Sequence, residues 1–381
     1  MLWILSFANF AIGMGAFLVI GILSPVAADL HIDKAQAGWL MTAYAIAYAI
    51  GSPLAVSTTG GVDRKRILIC GMAVFSIGSA LAIYAKGMAD VLFARCVMAL
   101  GAGLVTPVAA TVGVVAAGPE GRGRALAMVF GGLTLAQAIG VPIGAWLGYA
   151  FGWRTAFEVV AALGVVATAA LLARVPAGIQ VPVANLRSLG EVLGSARQSI
   201  AVSFTALFIG ALYVLYTYLG PFIESSFGVG RDGVTFVLAV FGVGAVLGNS
   251  VGGLLTDRIG PHKTLVALCC AQIVLLPALS IVPMHLVVFA VLIGIWSICA
   301  WSFMVAQQAR LAAIAPERIT VLFALNAAAI YVGGSIGSAL GGYTLRISGF
   351  GPLGAVGAAI IVLALITLYA CRCDKAGAPV R

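Results

Sequence analysis

The residues of this chain that are capable of chemistry lie far apart and at the edges of apolar runs. Its three histidines, His31, His262 and His285, fall in loops with no zinc-ligand spacing, and no Gly-Lys phosphate-binding signature occurs in the 381 residues. Hydrolytic, metal-dependent and ATP-driven chemistry therefore find no catalytic set, and the expectation is a non-enzyme with no cofactor and no metal. The twelve acids are Asp29, Asp33, Asp63, Asp90, Glu120, Glu158, Glu191, Glu224, Asp232, Asp257, Glu317 and Asp374, and none sits at the middle of an apolar run. Only Arg95, Glu158 and Glu224 come near one. A charge at the centre of a membrane helix costs about 2.5 to 3.5 kcal/mol on insertion scales, so such groups are functional candidates. Arg95 lies about five residues, roughly 7 Å, into its helix, where it either lines a cavity and attracts a polar or anionic solute or snorkels to the headgroups. Glu158 follows Arg154 by four residues, a spacing that pairs them on one helix face. Glu224 follows Gly220-Pro221-Phe222-Ile223 at the end of a run. Both acids are candidates for proton coupling, and both also read as rim or interfacial carboxylates.

The elements that position these residues are membrane helices. Of the residues, 62% are hydrophobic and 9% charged, with a mean hydropathy of +1.14, which excludes a water-soluble globular class. Charge-free runs cover 1–28, 35–62, 67–85, 96–119, 125–153, 159–173, 198–223, 233–256, 264–309, 319–345 and 347–373. Roughly 20 apolar residues cross the hydrocarbon as helix, so the run 264–309 holds two crossings, divided at Pro283, Met284 and His285. That makes twelve spans. Val26-Ala27-Ala28 resembles a cleavage site, but no positive segment precedes it and the run is long, so residues 1–28 read as a retained first span. Fifteen of the twenty-one Lys and Arg residues fall in alternate loops together with the termini, which places both termini on the cytoplasmic side of a plasma or inner membrane. The net charge of +9 thus reports topology rather than a nucleic-acid partner. The seven cysteines lie within or at the inner ends of spans and read as reduced thiols, with no extracellular disulfide framework.

The spans divide six and six. Residues 1–172 form a first bundle, 173–198 a polar cytoplasmic linker and 199–381 a second bundle with a short cytoplasmic tail. Leu186, Leu189 and Leu193 suggest a short surface helix in the linker, with a disordered segment as the alternative. Gly140, Gly144 and Gly148 of span 5 recur at an offset of 193 as Gly333, Gly337 and Gly341 of span 11. Glycine at every fourth position lets helix backbones approach closely, and its recurrence in both halves favours duplication over ordinary packing. Tyr44, Tyr48, Gln137, Tyr213, Tyr216, Trp296, Trp301, Gln307, Asn326 and Tyr331 fall inside spans, either as packing groups or as the wall of a cavity for a neutral, aromatic or hydroxylated solute.

Several segments resemble the major facilitator superfamily, in its twelve-span drug/proton antiporter branch of arabinose-efflux-like and purine-nucleoside-efflux-like permeases. Gly253-x-x-x-Asp257-Arg258-x-Gly260, followed by His262-Lys263, is similar to the family's loop motif between spans 8 and 9. The first-half counterpart keeps Arg64, Lys65 and Arg66 but has Gly60 opposite Asp257, with Asp63 nearby. Arg95 with Gly101-Ala102-Gly103, and Gly140-Val141-Pro142-x-Gly144, also resemble branch motifs, the second an efflux-type one. The resemblance implies an all-α membrane protein, twelve transmembrane helices in two pseudo-symmetric six-helix bundles. It further implies proton antiport exporting a small organic solute such as a drug, sugar or nucleoside, by alternating access in a functional monomer. Uptake symport and uncoupled facilitation are the alternatives within transport, and a scaffold or receptor outside it. The implied cavity residues are Arg95, Tyr213, Tyr216, Trp296 and Asn326, because spans 1, 4, 7 and 10 line the cavity in this superfamily and span 11 is similar to the same branch. Asp257, Arg258, Arg64 and Arg124 are the implied gating residues, with Asp257 meeting the start of span 5 near Arg124 and stabilising an outward-facing state. Where branch members commonly carry a span 1 carboxylate this chain has Ala16, which puts proton coupling through span 1 in question.

Overall fold

A computed structural model describes residues 1–59, 61–179 and 194–371, and among them the chain is helical, with no strand. Backbone groups have no partner in hydrocarbon, so each apolar run must satisfy its own hydrogen bonds as helix. The long helices are α1 (Leu2–Asp29), α2 (Trp39–Thr58), α3 (Arg64–Ile83), α4 (Met88–Gly118), α5 (Gly123–Phe151), α6 (Trp153–Arg174), α7 (Ala196–Phe227), α8 (Arg231–Ile259), α9 (Pro261–Ile281), α10 (Leu286–Ile314), α11 (Val321–Ser348) and α12 (Leu353–Ala370). All but α2 are long and apolar enough to cross a membrane by length and composition, and α2 has 20 residues of similar character. The run 264–309 is indeed two helices, parted at Val282–His285.

Boundaries follow local chemistry. Asp63 caps α3 by accepting the Lys65 N–H at 3.2 Å, and it also accepts Gly178 N–H at 3.3 Å. Gly260 occupies the corresponding place between α8 and α9 at φ 83°, a left-handed conformation that glycine adopts without strain, and Pro261 then starts α9. Arginine and aspartate on one side of this junction and His262-Lys263 on the other keep it out of hydrocarbon. Helix α7 breaks at Thr217–Tyr218 and resumes as Leu219–Phe227, so Glu224 stands on a helical extension. Residues 180–193, which include the expected surface helix at Leu186, Leu189 and Leu193, lie outside the described residues.

The glycine stripes set the closest approaches. Gly140, Gly144 and Gly148 of α5 face Met14, Leu18 and Ile22 of α1, and Gly333, Gly337 and Gly341 of α11 face Ala206, Gly210 and Val214 of α7. The facing residues are offset by 192, nearly the offset of the stripes themselves, so both halves pack their fifth helix on their first in one register. Where α1 has Leu18, α7 has Gly210. The β-carbon of a residue at 144 would therefore meet a side chain 3.2 Å away, whereas one at 337 would fall on the Gly210 backbone. Ser52 of α2 donates to the Gly103 carbonyl of α4 at 2.9 Å, and Ser302 of α10 donates to the Gly248 carbonyl of α8 at 2.8 Å. The same helix pair is thus bonded in each half, with the donor on opposite members. Across the halves, α2 packs on α11 and α5 on α8.

Candidate functional site

Alternation of the helices puts Met1, Arg64, Gly118, Arg174, Arg258 and Arg318 at one end, the basic end, and Asp29, Lys34, Tyr149, Glu224 and Phe350 at the other. The described contacts between the first six and last six helices run from mid-length to that second end. Tyr48 of α2 stacks on Tyr331 of α11 with ring centroids 3.6 Å apart. Beyond it, Tyr218 donates its hydroxyl to the Ser338 carbonyl at 2.9 Å, while Ser338 donates to the Gly38 carbonyl at 3.2 Å. Gly38 lies so close to the Tyr218 ring that a β-carbon there would have to displace the ring's hydroxyl end. On the other seam, a π-helical turn over Ala136–Gly140 in α5 brings the Gln137 carbonyl against Gly242 of α8. Single π turns inside α-helices recur at functional positions, and this one directly precedes Val141-Pro142.

Glu224 is the carboxylate of this seam. Tyr149 of α5 donates its hydroxyl to one Glu224 oxygen at 2.6 Å, and Lys34 lies 3.6 Å from the other. Both partners belong to the first six helices and Glu224 to the last six, so the contact ties the halves together. It opens onto a cavity of about 620 Å³ lined also by Ser24, Pro25, Asp33 and Gly148. Sequence reasoning singled out Glu224 but not its partners, because Tyr149 and Lys34 are distant in sequence and carry no motif.

Arg95 does not snorkel. It is the eighth residue of α4, fully buried, and donates to the carbonyls of Gly15 at 2.5 Å, Ala16 at 2.9 Å and Leu40 at 3.1 Å. Its guanidinium lies 4.3 Å over the Tyr44 ring. One side chain therefore fastens α4 to α1 and α2, at the place where α1 has Ala16.

Tyr213, Tyr216 and Trp296 do come together. Tyr213 and Tyr216 meet edge to face at 5.7 Å, and Tyr216 stacks on Phe241 of α8 at 4.1 Å and meets Trp296 at 6.5 Å. Trp296 donates to Gln272 at 2.7 Å. Phe241 and Gln272 had no sequence signal beyond lying in apolar runs. Asn326 stands apart from this cluster, nearer the basic end, accepting from Thr205 at 2.5 Å; Thr205 in turn accepts from Gln307 at 3.1 Å, and Gln307 from Arg310 at 3.3 Å.

Two expected pairings are not formed. Arg154 turns from Glu158 to Asp29, at 2.6 Å, and to the Ala85 carbonyl at 2.8 Å; Glu158 is exposed with no hydrogen bond or ion pair among the described residues. The reason is that Gly152, at φ 95°, turns the chain so that Trp153 and Arg154 both reach Asp29 at the end of α1. Asp257 forms no hydrogen bond or ion pair with Arg124 among the described residues: Asp257, Arg258 and Arg124 are all exposed at the basic end. Arg64 is buried and donates to the Thr59 carbonyl at 3.3 Å.

Comparisons with known proteins agree with this architecture. An MFS-type transporter, YbcL, of Bacillus subtilis strain 168 is 31% identical over 372 residues, 97% of this chain and 95% of its own. The inner membrane transport protein YdhP of Escherichia coli K12 is 28% identical over 366 residues, covering 96% and 94%. Among solved structures, the nucleoside transporter NupG superposes with a TM-score of 0.78 at 15% identity, covering 97% and 98% of the two chains. A bacterial homologue of the human lysosomal transporter Spinster, in an inward-facing, occupied conformation, gives 0.76 at 18% identity over 97% and 96%. The Major Facilitator Superfamily profile matches residues 5–283 and 201–379, so nearly the whole chain is covered, with the overlap expected of two related halves. This chain is therefore a multi-pass membrane transporter, not an enzyme, and belongs to the Major Facilitator Superfamily.

Proposed function

We propose that the protein exports a small organic solute, drug-, sugar- or nucleoside-like, by proton antiport through alternating access, as a monomer with both termini cytoplasmic. On this reading residues 1–172 and 199–381 are two rigid bundles joined by the linker 173–198, and the basic end faces the cytoplasm. The observation that carries it is the one-sided seam. Contacts between the halves run from Tyr48–Tyr331 to Tyr149–Glu224–Lys34, while Asp257, Arg258 and Arg124 stand exposed at the basic end. That is the arrangement of an inward-facing transporter, and Asp257 with Arg124 is then the contact that forms when the bundles rock the other way. Glu224 suits a coupling role because its protonation removes the negative partner of Lys34 and loosens the seam on the side from which protons enter.

Uncoupled facilitation is the second reading, favoured by one observation: no Asp or Glu is buried among the described residues, and Arg95 binds carbonyls where a span 1 acid would stand. Proteoliposomes with an internal pH dye separate the two. Solute-dependent proton movement that is lost in Glu224→Gln supports antiport; solute exchange with no proton movement supports facilitation.

A further inference from the structure

Pro142 takes a hydrogen-bond donor out of the middle of α5. Val141, just before it, donates its N–H to the Ala136 carbonyl five residues back, closing the π-helical turn. The Gln137 carbonyl is then left without a helical donor, because the N–H at 141 is committed to Ala136 and proline at 142 has none. No hydrogen bond from outside the helix reaches it among the described residues. Opposite it stands Gly242 of α8, where a β-carbon would lie 2.6 Å from the Gln137 oxygen and closer still to the Ala138 α-carbon. Helices in such contact leave no room for water between them, so the carbonyl faces a Cα–H, a weak donor. The Gln137 side chain is 5% exposed, and its Oε1 is likewise buried without a partner.

The rest of the molecule shows that this arrangement is particular to one seam. Pro107 of α4 deprives the Gly103 carbonyl of its donor in the same way, and there Ser52 supplies a hydroxyl at 2.9 Å. At the offset of 193 the place of Pro142 is taken by Ser335, and α11 runs through it as continuous α-helix. Tyr331, the counterpart of Ala138, closes the other seam with its ring stacked on Tyr48. One seam is thus closed by side chains and the other by bare backbone set against an unpaired acceptor.

A buried carbonyl served only by a Cα–H is less well satisfied than one in water. The closed α5–α8 contact therefore carries a cost that ends when the two helices part and water reaches Gln137. We propose that Pro142 keeps the outer end poised to open, acting through the Gln137 carbonyl that it leaves unpaired. This rests on the reading of alternating access and assigns Pro142 and Gln137 positioning roles within it. An N–H restored at 142 pairs an α5 carbonyl within the helix in both states and so favours the closed outer end.

The test reads the opening of that end directly. Lys86 and Pro283 are exposed there, one on each half, and take bioorthogonal fluorophores for energy transfer in nanodiscs. Pro142→Ala is expected to lower the ratio of open to closed molecules about fivefold, without lowering the melting temperature. Pro142→Gly also restores the N–H but leaves the chain looser, so a fall in the ratio shared by both variants assigns the effect to the donor rather than to helix stiffness. Gln137→Met, which removes the second unpaired acceptor at similar volume, should lower the ratio as well. An unchanged or raised ratio in folded Pro142→Ala overturns the proposal, as do opposite shifts in the alanine and glycine variants. If neither proline variant folds, Gln137→Met decides, and an unchanged ratio there overturns it. A pair distance that moves in Glu224→Gln but not in Pro142→Ala removes this inference alone; a distance fixed in every variant removes alternating access and the inference with it.

Discussion

Glu224 and Glu158 look alike in the sequence, each at the rim of an apolar run, yet they differ in the structure by what they hold. Glu224 joins the halves through Tyr149 and Lys34, whereas Glu158 holds nothing among the described residues. The Lys34–Glu224 pair is partly exposed and loosely spaced, so Glu224→Gln should change stability by less than about 1 kcal/mol. Its effect belongs in the conformational balance: a fluorophore pair across Lys34 and Phe350 should report a larger open fraction at that end. Glu158→Gln should leave both melting temperature and exchange unchanged, within about 0.5 kcal/mol. A clear loss of exchange in Glu158→Gln would reverse the ranking of the two acids. Arg95 is the opposite case, a buried cation with three carbonyl partners. Arg95→Leu should cost about 2–4 kcal/mol by leaving three acceptors and a ring face unmatched, while Arg95→Lys, a compact charge without the planar fork, recovers part of that. Thermal unfolding monitored by size-exclusion measures both.

At the scale of the helix, the two glycine stripes are equivalent in spacing and unequal in tolerance. Gly144 faces the Leu18 side chain, and Gly337 faces the Gly210 backbone. A side chain can shift its rotamer, but a helix backbone moves only as a unit, so Gly337→Ala should destabilise by about 1–3 kcal/mol and Gly144→Ala by clearly less. Equal melting shifts for the two would mean that α11 slides on α7 as easily as α5 on α1. The helix ends obey the same local logic. Gly260 at φ 83° followed by Pro261 makes the α8–α9 junction sharp, while in the first half the aspartate at the matching place caps α3. The motif was readable in sequence because its residues are consecutive; the substitution of a cap for a left-handed turn was visible only once the backbone was traced.

At the scale of the whole molecule, the conformation is set by which ends of the two halves touch. Gly38 and Ser338 approach through a 3.2 Å hydrogen bond, whereas Asp257 and Arg124 are both exposed. The double variant Gly38→Cys with Ser338→Cys should cross-link readily in the resting protein and stop solute exchange, provided the cysteine at 38 displaces the Tyr218 hydroxyl without unfolding. Asp257→Cys with Arg124→Cys should cross-link slowly at rest and faster under conditions that open the other end. Rapid cross-linking of the second pair in the resting protein would contradict a one-sided seam. Both rates are read by gel shift after oxidation and reversed by reductant.

Composition and period determined the class of this protein. Apolar runs of span length, glycines at four-residue intervals in α5 and α11, and the Asp257-Arg258-x-Gly260 loop are local in sequence, and hydrocarbon leaves a chain with such runs only the helix. The twelve spans, the split at Val282–His285 and the recurrence of the stripes were legible for that reason. The partners of the polar residues were not. Arg154 chose Asp29 over Glu158, 125 residues against four, and Glu224 found Tyr149 75 residues away. Arg95 found carbonyls in place of a cavity, and Asn326 fell in with Thr205 rather than with Tyr213, Tyr216 and Trp296. Those choices depend on how helices rotate and lean within a close-packed bundle, where a turn of one helix by a single residue redirects a side chain by about 100°. Spacing along the chain constrains which faces exist; only the packed structure decides which faces meet.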